Sequence, residues 1–309
     1  MRFDLGIDPA ATAAGLADFI SQEVDGLRRD GALIGLSGGI DSAVVATLAV
    51  RALGPERVFG LLLPEQDSDP ESHSLARTLA ARLAIRYRTV RLTPLLWLAG
   101  VYWQVPLWLA PTRRLRAMLV KRHYQRYAES LGEGETPFSS VMVGTRGLQG
   151  PWLNEAVAYH RVKVRLRTVL LHYHAELRNH LLLGTCNKTE LAVGFFVKHG
   201  DAATDVAPLA SLYKTQVREL AAYLHVPEAI IHRPPSPDVF PGLTDEQAMQ
   251  IDYPTLDRVL FGLEKGLAHE DIARALGLPV ERVRYVETLT RRAAFLREPP
   301  RLPVLGMNR

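Results

Sequence analysis

The sequence predicts an α/β protein, a doubly wound parallel sheet flanked by helices, with a helical insertion and a helical C-terminal segment. Three observations carry this expectation. Short apolar runs alternate with stretches of helical period through the first ninety residues, a Ser-Gly-Gly turn joins the first apolar run to an alanine-rich stretch, and one more apolar run returns near residue 180. Strands that alternate with helices pair in parallel, because each crossover helix covers the sheet it has just left.

Residues 11–29 set Ala14, Leu16, Phe19, Ile20, Val24 and Leu27 on one side at helical spacing, so a first helix is expected there. Residues 32–36 form a short apolar run ending in Ser-Gly-Gly, and 42–53 return to helix-favouring sequence, which reads as strand, tight loop and helix. Residues 57–63 read as a second strand, 69–83 as a helix and 87–92 as a third strand. The alternation stops over residues 93–159, where Gly132, Gly134, Pro137, Gly144, Gly147, Gly150 and Pro151 separate helical pieces. An insertion or lid is expected in that stretch. A helix over about 158–178 and a strand over 180–183 restore the sheet. A helix over 214–224 follows, then Pro-rich sequence over 233–241, then two or three helices over 245–297. The 309 residues are expected to form one domain, with 245–297 as its helical C-terminal segment.

Composition excludes several classes. With 47% hydrophobic and 23% charged residues, the chain is neither disordered nor fibrous. Its one cysteine, Cys186, rules out an intrachain disulfide framework or a multi-cysteine zinc site and suits a reducing cytoplasm. Asp4, Asp8 and Asp18 lie where a secretory signal would be basic and apolar, and the most apolar run, 95–110, is broken by Gln104 and Pro106. Neither export nor a membrane span is expected. The net charge of +4 hides a bias: residues 91–170 hold twelve Lys/Arg against four Asp/Glu, together with all four tryptophans. Such a stretch suits a phosphate-bearing, base-stacking ligand, or else a solvated helix face over an aromatic core.

The sharpest motif is Ser37-Gly38-Gly39-Ile40-Asp41-Ser42 at the strand-to-helix turn. Two glycines and two hydroxyls there offer backbone N–H groups to an anion, and a helix N-terminus adds its partial positive charge. No Lys-Ser/Thr follows the last glycine, so this is not a Walker A loop. The hexapeptide resembles the pyrophosphate loop of N-type ATP pyrophosphatases, which cleave ATP between the α- and β-phosphates. Further on come Gly184-Thr185-Cys186-Asn187-Lys188-Thr189-Glu190, then Gly194-Phe195-Phe196-Val197-Lys198-His199-Gly200-Asp201 with Asp205, then Leu212-Tyr213-Lys214-Thr215-Gln216-Val217, then Pro235-Ser236-Pro237-Asp238. In this order the elements resemble the ammonia-dependent NAD synthetase family.

That resemblance implies an adenine nucleotide alpha hydrolase-like fold, with Asp41, Glu190 and Lys214 as the catalytic groups. Asp41 and Glu190 would ligate Mg²⁺ on the ATP phosphates, as hard carboxylate oxygens do. Ser37, Gly38, Gly39, Asp41, Ser42, Thr185, Lys214 and Ser236 would contact ATP, and Arg165, Lys198 and Asp205 would hold nicotinic acid adenine dinucleotide (deamido-NAD). Arg165 and Arg167 stand at i and i+2 of a helix, so at most one faces the substrate. The implied reaction adenylates the nicotinate carboxylate and lets ammonia displace AMP, with no protein nucleophile, which leaves Cys186 as a small buried residue. The chain has no room for a glutaminase, so ammonia is expected free or from a separate glutaminase. A homodimer is implied too. The chain departs from the family's pattern at His160-Arg161 and at 296–301, both on the dinucleotide side.

Two other readings compete. The basic, aromatic middle stretch would suit a tRNA-modifying or sulfur-transferring member of the same ATP-using class, although one cysteine argues against sulfur handling. Residues 270–283 resemble a helix-turn-helix with a glycine at the turn, yet the second helix offers only Arg282 and Arg284 before Glu287. Helix packing accounts for that segment better than nucleic-acid binding does.

Overall fold

The computed structural model describes residues 3–132, 134–142, 144, 151–236 and 240–303, with the backbone alone at 151 and 152. Helix α1 (Pro9–Gly26) begins where the Asp8 carboxylate accepts from the amides of Ala10 and Ala11, with proline at its first position, and it leads into β1 (Gly31–Gly35). Helix α2 (Ile40–Leu53) is alanine-rich and buried on nearly every side, which lets it lie flat between the sheet and other helices. It is followed by β2 (Val58–Leu62), α3 (Pro70–Arg82) and β3 (Arg86–Thr89). The expected insertion holds α4 (Thr93–Leu98), α5 (Val101–Gln104), α6 (Arg113–Glu129) and α7 (Pro137–Ser140). The 26-residue α8 (Pro151–Glu176) then delivers the chain to β4 (His180–Leu183). After α9 (Lys188–Val193), α10 (Lys214–Tyr223) and α11 (Glu228–Ile231), the chain closes with α12 (Asp245–Met249), α13 (Tyr253–Glu264), α14 (His269–Leu276) and α15 (Val280–Arg297).

All strand pairs are parallel and the order is β3-β2-β1-β4. The two-residue alternation of the strands sorts their side chains to opposite faces. Ala32, Ile34, Val58, Leu62, Leu181 and Leu183 join α1, α2, α3 and α10 in one core, and Leu33, Phe59, Leu61 and Leu182 join α4, α5 and α8 in the other. A third core, around Val193, Tyr253, Leu256, Val259, Ile272 and Leu289, unites α9 with α13, α14 and α15. The sheet grows from β1 towards β3 on one side, then resumes at β4 on the other. The carboxyl ends of β1 and β4 therefore diverge into a crevice, the position where open α/β sheets bind ligands.

Three boundaries differ from expectation. Helix α8 starts seven residues earlier than the expected 158, because Pro151 occupies its first position, where a missing N–H costs nothing. The third strand ends at Thr89, although the amides of Val90 and Leu92 still donate to the carbonyls of Leu62 and Pro64 at 2.9 Å. The C-terminal segment has four helices instead of two or three, since the five-residue α12 stops at Gln250 in the left-handed region, φ +56°, too soon to show a period. The helix-turn-helix-like stretch is α14, Gly277 and α15, and its apolar residues Ile272, Val283 and Val286 are buried in the third core.

Helices α5 and α8 are fastened to the segment after β2 by buried charge. Lys163 of α8, fully buried, donates to Glu65 Oε1 at 3.1 Å and to Asp67 Oδ2 at 2.6 Å in the segment after β2. Tyr102 of α5 donates to Glu65 Oε2 at 2.6 Å, Tyr159 donates to Asp67, and the Lys163 ammonium lies 3.9 Å from the centre of the Tyr159 ring. Removing one member strands the others without water. The Lys163→Met variant is therefore expected to lose about 3–5 kcal/mol of unfolding free energy in urea titration, and a loss below about 1 kcal/mol would show the knot to be dispensable.

Candidate active site

The loop between β1 and α2 is shaped by Gly38, whose φ of +79° and proximity to α3 admit no side chain: a Cβ there would come within 2.2 Å of the Ser72 carbonyl oxygen. The hydroxyls of Ser37 and Ser42 lie 3.1 Å apart, Ser42 also donates to the Gly39 carbonyl, and Ser37 accepts from the Gly39 amide at 3.2 Å. These bonds close the loop on itself and aim the first turn of α2 into the crevice. The amides of that turn have no acceptor inside the helix, which suits an anion.

Across the crevice, α9 and α10 present Glu190 and Lys214. The Lys214 ammonium, 1% exposed, donates to Asp41 Oδ2 at 2.6 Å and Glu190 Oε1 at 3.1 Å. Carboxylates from two helices thus converge on the nitrogen carried by a third. Asn187 sets two of them: its side chain accepts from the Glu190 amide at 3.0 Å and donates to Asp41 Oδ1 at 2.9 Å, while its own amide donates to Glu190 Oε2. Beneath, buried Asp257 accepts from the Thr189 hydroxyl and the Thr215 amide, and Thr189 accepts from the Lys214 amide at 2.9 Å. The start of α10 is thereby locked against α13.

Charge in this corner is tightly held. Burial works against the Lys214 ammonium, but Asp41, Glu190 and Asp245 outweigh it and hold its pKa above the ordinary lysine value. Burial likewise pushes Glu190 well above the usual carboxylate range, against the pull of Lys214. Asp245, at the start of α12, is pushed up to about 6 by burial. A further cation would relieve each carboxylate. Burial also raises the Cys186 thiol, so it stands as an inert thiol, as expected for a reaction without a protein nucleophile.

The crevice opens into a cavity of about 1330 Å³, larger than a single small ligand needs. Ser37, Gly39, Asp41, Ser42, Thr185, Glu190, Lys214 and Ser236 all line it, whereas Gly38 shapes the loop from behind. Pro237 and Asp238 of the fourth motif lie outside the described residues. The insertion supplies an apolar wall that includes Val105, Leu109, Leu115 and Leu119.

The three residues expected at the dinucleotide, Arg165, Lys198 and Asp205, are not among those that line this cavity. Arg165 is on the outer face of α8 and donates to the Lys198 carbonyl at 3.2 Å. The Lys198 ammonium donates to the carbonyls of Phe295 and Glu298 at 2.7 Å, closing the end of α15, and Asp205 accepts from the Leu182 amide at 2.8 Å. Of the two arginines, Arg167 faces the cavity, near Ser68, and Arg165 does not. Sequence reasoning named no role for Asn187, Asp201, Arg233 or Asp245. Asn187 and Glu190 carry a capping-box spacing that was there to be read. Asp245 had no such signal, because only the turn of the chain after 233–241 brings it to the site.

The family model for NAD synthase matches residues 12–100 and 141–300. The chain belongs to the NAD synthase family. It is 43% identical over 279 residues to the NH3-dependent NAD+ synthetase of Coprothermobacter proteolyticus, covering 89% of this chain and 93% of that one. The solved NMN synthetase of Francisella tularensis superposes with a TM-score of 0.70 at 25% identity, over 97% of this chain and all of that one. The NH3-dependent NAD synthetase of Campylobacter jejuni, in complex with nitrate, gives 0.65 at 26% over 96% and all of the two chains. The stretch that the NAD synthase model leaves unmatched, 101–140, carries α5, α6 and α7, and includes Val105, Leu109, Leu115 and Leu119 of the cavity wall.

His160, where the chain departs from the NAD synthase pattern, lines the cavity beside Phe240. Burial and the charges of Arg161, Lys163 and Arg167 push its pKa down to about 4. Between pH 4 and 6.5 the folded protein then binds fewer protons than the unfolded chain, so acidification through that window removes stability. Relative to wild type, His160→Gln should gain on the order of 2 kcal/mol as pH falls from 7 to 4, read from urea midpoints; a constant difference would place a charged imidazole in the fold.

Proposed function

We propose that this chain is an ammonia-dependent NAD synthetase that converts deamido-NAD, ATP and ammonia to NAD, AMP and pyrophosphate. The single observation that carries the reading is the Lys214 ammonium held between Asp41 and Glu190 at the mouth of the Ser37–Ser42 loop. A nicotinate carboxylate oxygen would attack the α-phosphorus, forming the acyl-adenylate as the bond to the β-phosphate oxygen breaks. Ammonia would then add to the acyl carbon and expel AMP, losing one proton to solvent or a neighbouring base.

Each residue has a physical part in this. The first-turn amides of α2, with Ser37 and Ser42, receive the departing pyrophosphate, and Thr185 and Ser236 line the nucleotide's path. Lys214 balances the negative charge that grows on the phosphates. Two carboxylate oxygens already share one cationic nitrogen within 3.1 Å, a donor set of hard oxygens that fits Mg²⁺. Among the described residues no group of three His, Cys, Asp or Glu forms a metal cage, so phosphate and water would complete the coordination. Bound there by Asp41 and Glu190, Mg²⁺ would supply Lewis-acid charge to the triphosphate.

The dinucleotide reading of Arg165, Lys198 and Asp205 is supported through a homodimer. On the outer face of α8, Arg165 is followed at four-residue spacing by Val169 and Tyr173, and then by Leu177 just past the helix end, and these three apolar side chains are more than half exposed. Such a stripe suits a second copy, which would enclose the exposed basic and acidic groups around the substrate. Wild-type protein should sediment as a dimer and Tyr173→Asp as a monomer; a monomeric wild type would remove the interface from the site. Ammonia would come free or from a separate glutaminase, in the cytoplasm. Among the described residues no helix is long and apolar enough to cross a membrane.

Incubation with ATP, Mg²⁺, ammonium and deamido-NAD, with products identified by mass, tests the reading. NAD, AMP and pyrophosphate are expected, and ADP with phosphate would sink it. The likeness to an NMN synthetase favours a second reading in which nicotinic acid mononucleotide is the acceptor, so the same assay carries that acid in a parallel arm. Asp41→Ala and Glu190→Ala should each lower turnover by a factor of about 100 or more while circular dichroism is unchanged.

A further inference from the structure

Three carboxylates face one ammonium in the active-site corner, and only two of them touch it. The third, Asp245, is 5% exposed and lines the same cavity as Asp41, Glu190 and Lys214. Its Oδ2 accepts from the Tyr253 hydroxyl at 2.9 Å, which fixes the carboxylate, and its Oδ1 is buried without a hydrogen-bond partner among the described residues. A buried, unpartnered carboxylate oxygen is costly, and it persists in a native site when it has a partner in another state of the cycle. The charge of Asp245 is felt by both Lys214 and Glu190. Tyr253 joins the two sides: its hydroxyl holds Asp245, and the Lys214 ammonium lies 5.0 Å from the centre of its ring.

Lys214 meets a conflict once a metal-bound triphosphate enters. Asp41 and Glu190 are its hydrogen-bonded anions, and they are also the pair whose oxygens fit the metal. Two carboxylates cannot give their best oxygens to both cations. An ammonium left without them, in a pocket where it is 1% exposed, needs another anion on the protein side. We propose that Asp245 is a positioning residue that takes over the Lys214 ammonium when Asp41 and Glu190 turn to the metal-bound triphosphate. The inference rests on the ATP half of the reading above and is independent of the acceptor. Asp245 touches no reacting atom. It acts through Lys214, holding the ammonium towards the phosphates while the first two carboxylates are occupied, with Tyr253 as its hinge.

The test is binding of α,β-methylene ATP, which no acceptor can turn over, to full-length protein with saturating Mg²⁺ or with EDTA, by calorimetry. Asp245→Asn keeps an oxygen for the Tyr253 hydroxyl and should fold as wild type. It is expected to weaken Mg²⁺-dependent binding about tenfold and leave metal-free binding unchanged. A plain loss of negative charge near a cation would do something similar, so the same substitution is repeated in a Lys214→Met background. There the effect of Asp245→Asn should vanish if Asp245 works through the ammonium. Persistence of the tenfold loss without Lys214, an equal loss with and without metal, or no loss at all would each overturn the proposal. Failure of wild type to amidate deamido-NAD, with these binding differences intact, would overturn the acceptor reading and leave this one standing. Failure of wild type to bind the analogue would overturn both.

Discussion

The arrangement of this site follows from a lysine that cannot reach water. The Lys214 ammonium is enclosed where α2, α9 and α10 meet, and a buried cation persists only with anions in contact. Asp41 and Glu190 meet that requirement, and each must be fixed to do so. Asn187 spends its amide, its side-chain oxygen and its side-chain nitrogen on these two residues, and Asp257 ties the backbone that carries Lys214 to α13. The C-terminal helices therefore do more than cover the sheet. They hold the far side of the crevice at the distance the ion pairs require.

The sheet explains why the three elements meet there at all. Because β4 lies beside β1 on the side away from β2, the segments leaving the two strands part at their carboxyl ends. One leads through Gly38 into α2 with Asp41, the other through Thr185 into α9 with Glu190. Strand polarity alone thus brings together residues nearly 150 positions apart. A polar pair buried at such a junction also pins the relative register of α2 and α9, since a slip of one residue would leave a charge alone.

Much of this was legible in the sequence because the signals were local. Glycines beside serines between an apolar run and a helical one define a turn wherever they occur, and all four strands fell within a few residues of their expected places. Asp41, Glu190 and Lys214 were read from motif order and proved to be neighbours. What escaped depends on long-range geometry. Asp245 reaches the corner only after a Pro-rich excursion, and the Glu65–Asp67–Lys163 knot joins residues about a hundred positions apart that carry no spacing signal. Arg165 and Lys198 show the opposite limit. The resemblance assigns both to the dinucleotide from separate motifs 33 positions apart, and the fold brings them together at a hydrogen bond outside the cavity lining.

The buried knot also bears on how such a chain can diverge. Its ammonium and two carboxylates are buried, and the Arg116 guanidinium 3.7 Å from Asp67 balances the second carboxylate, so exchange of any one of the three alone leaves a buried charge without its partner. Change at Glu65, Asp67 or Lys163 has to be concerted, whereas the solvent-facing positions of α6 are free to drift one at a time. The helices α4 to α7 thus present a surface open to gradual variation, while the knot beside them can change only by coordinated jumps.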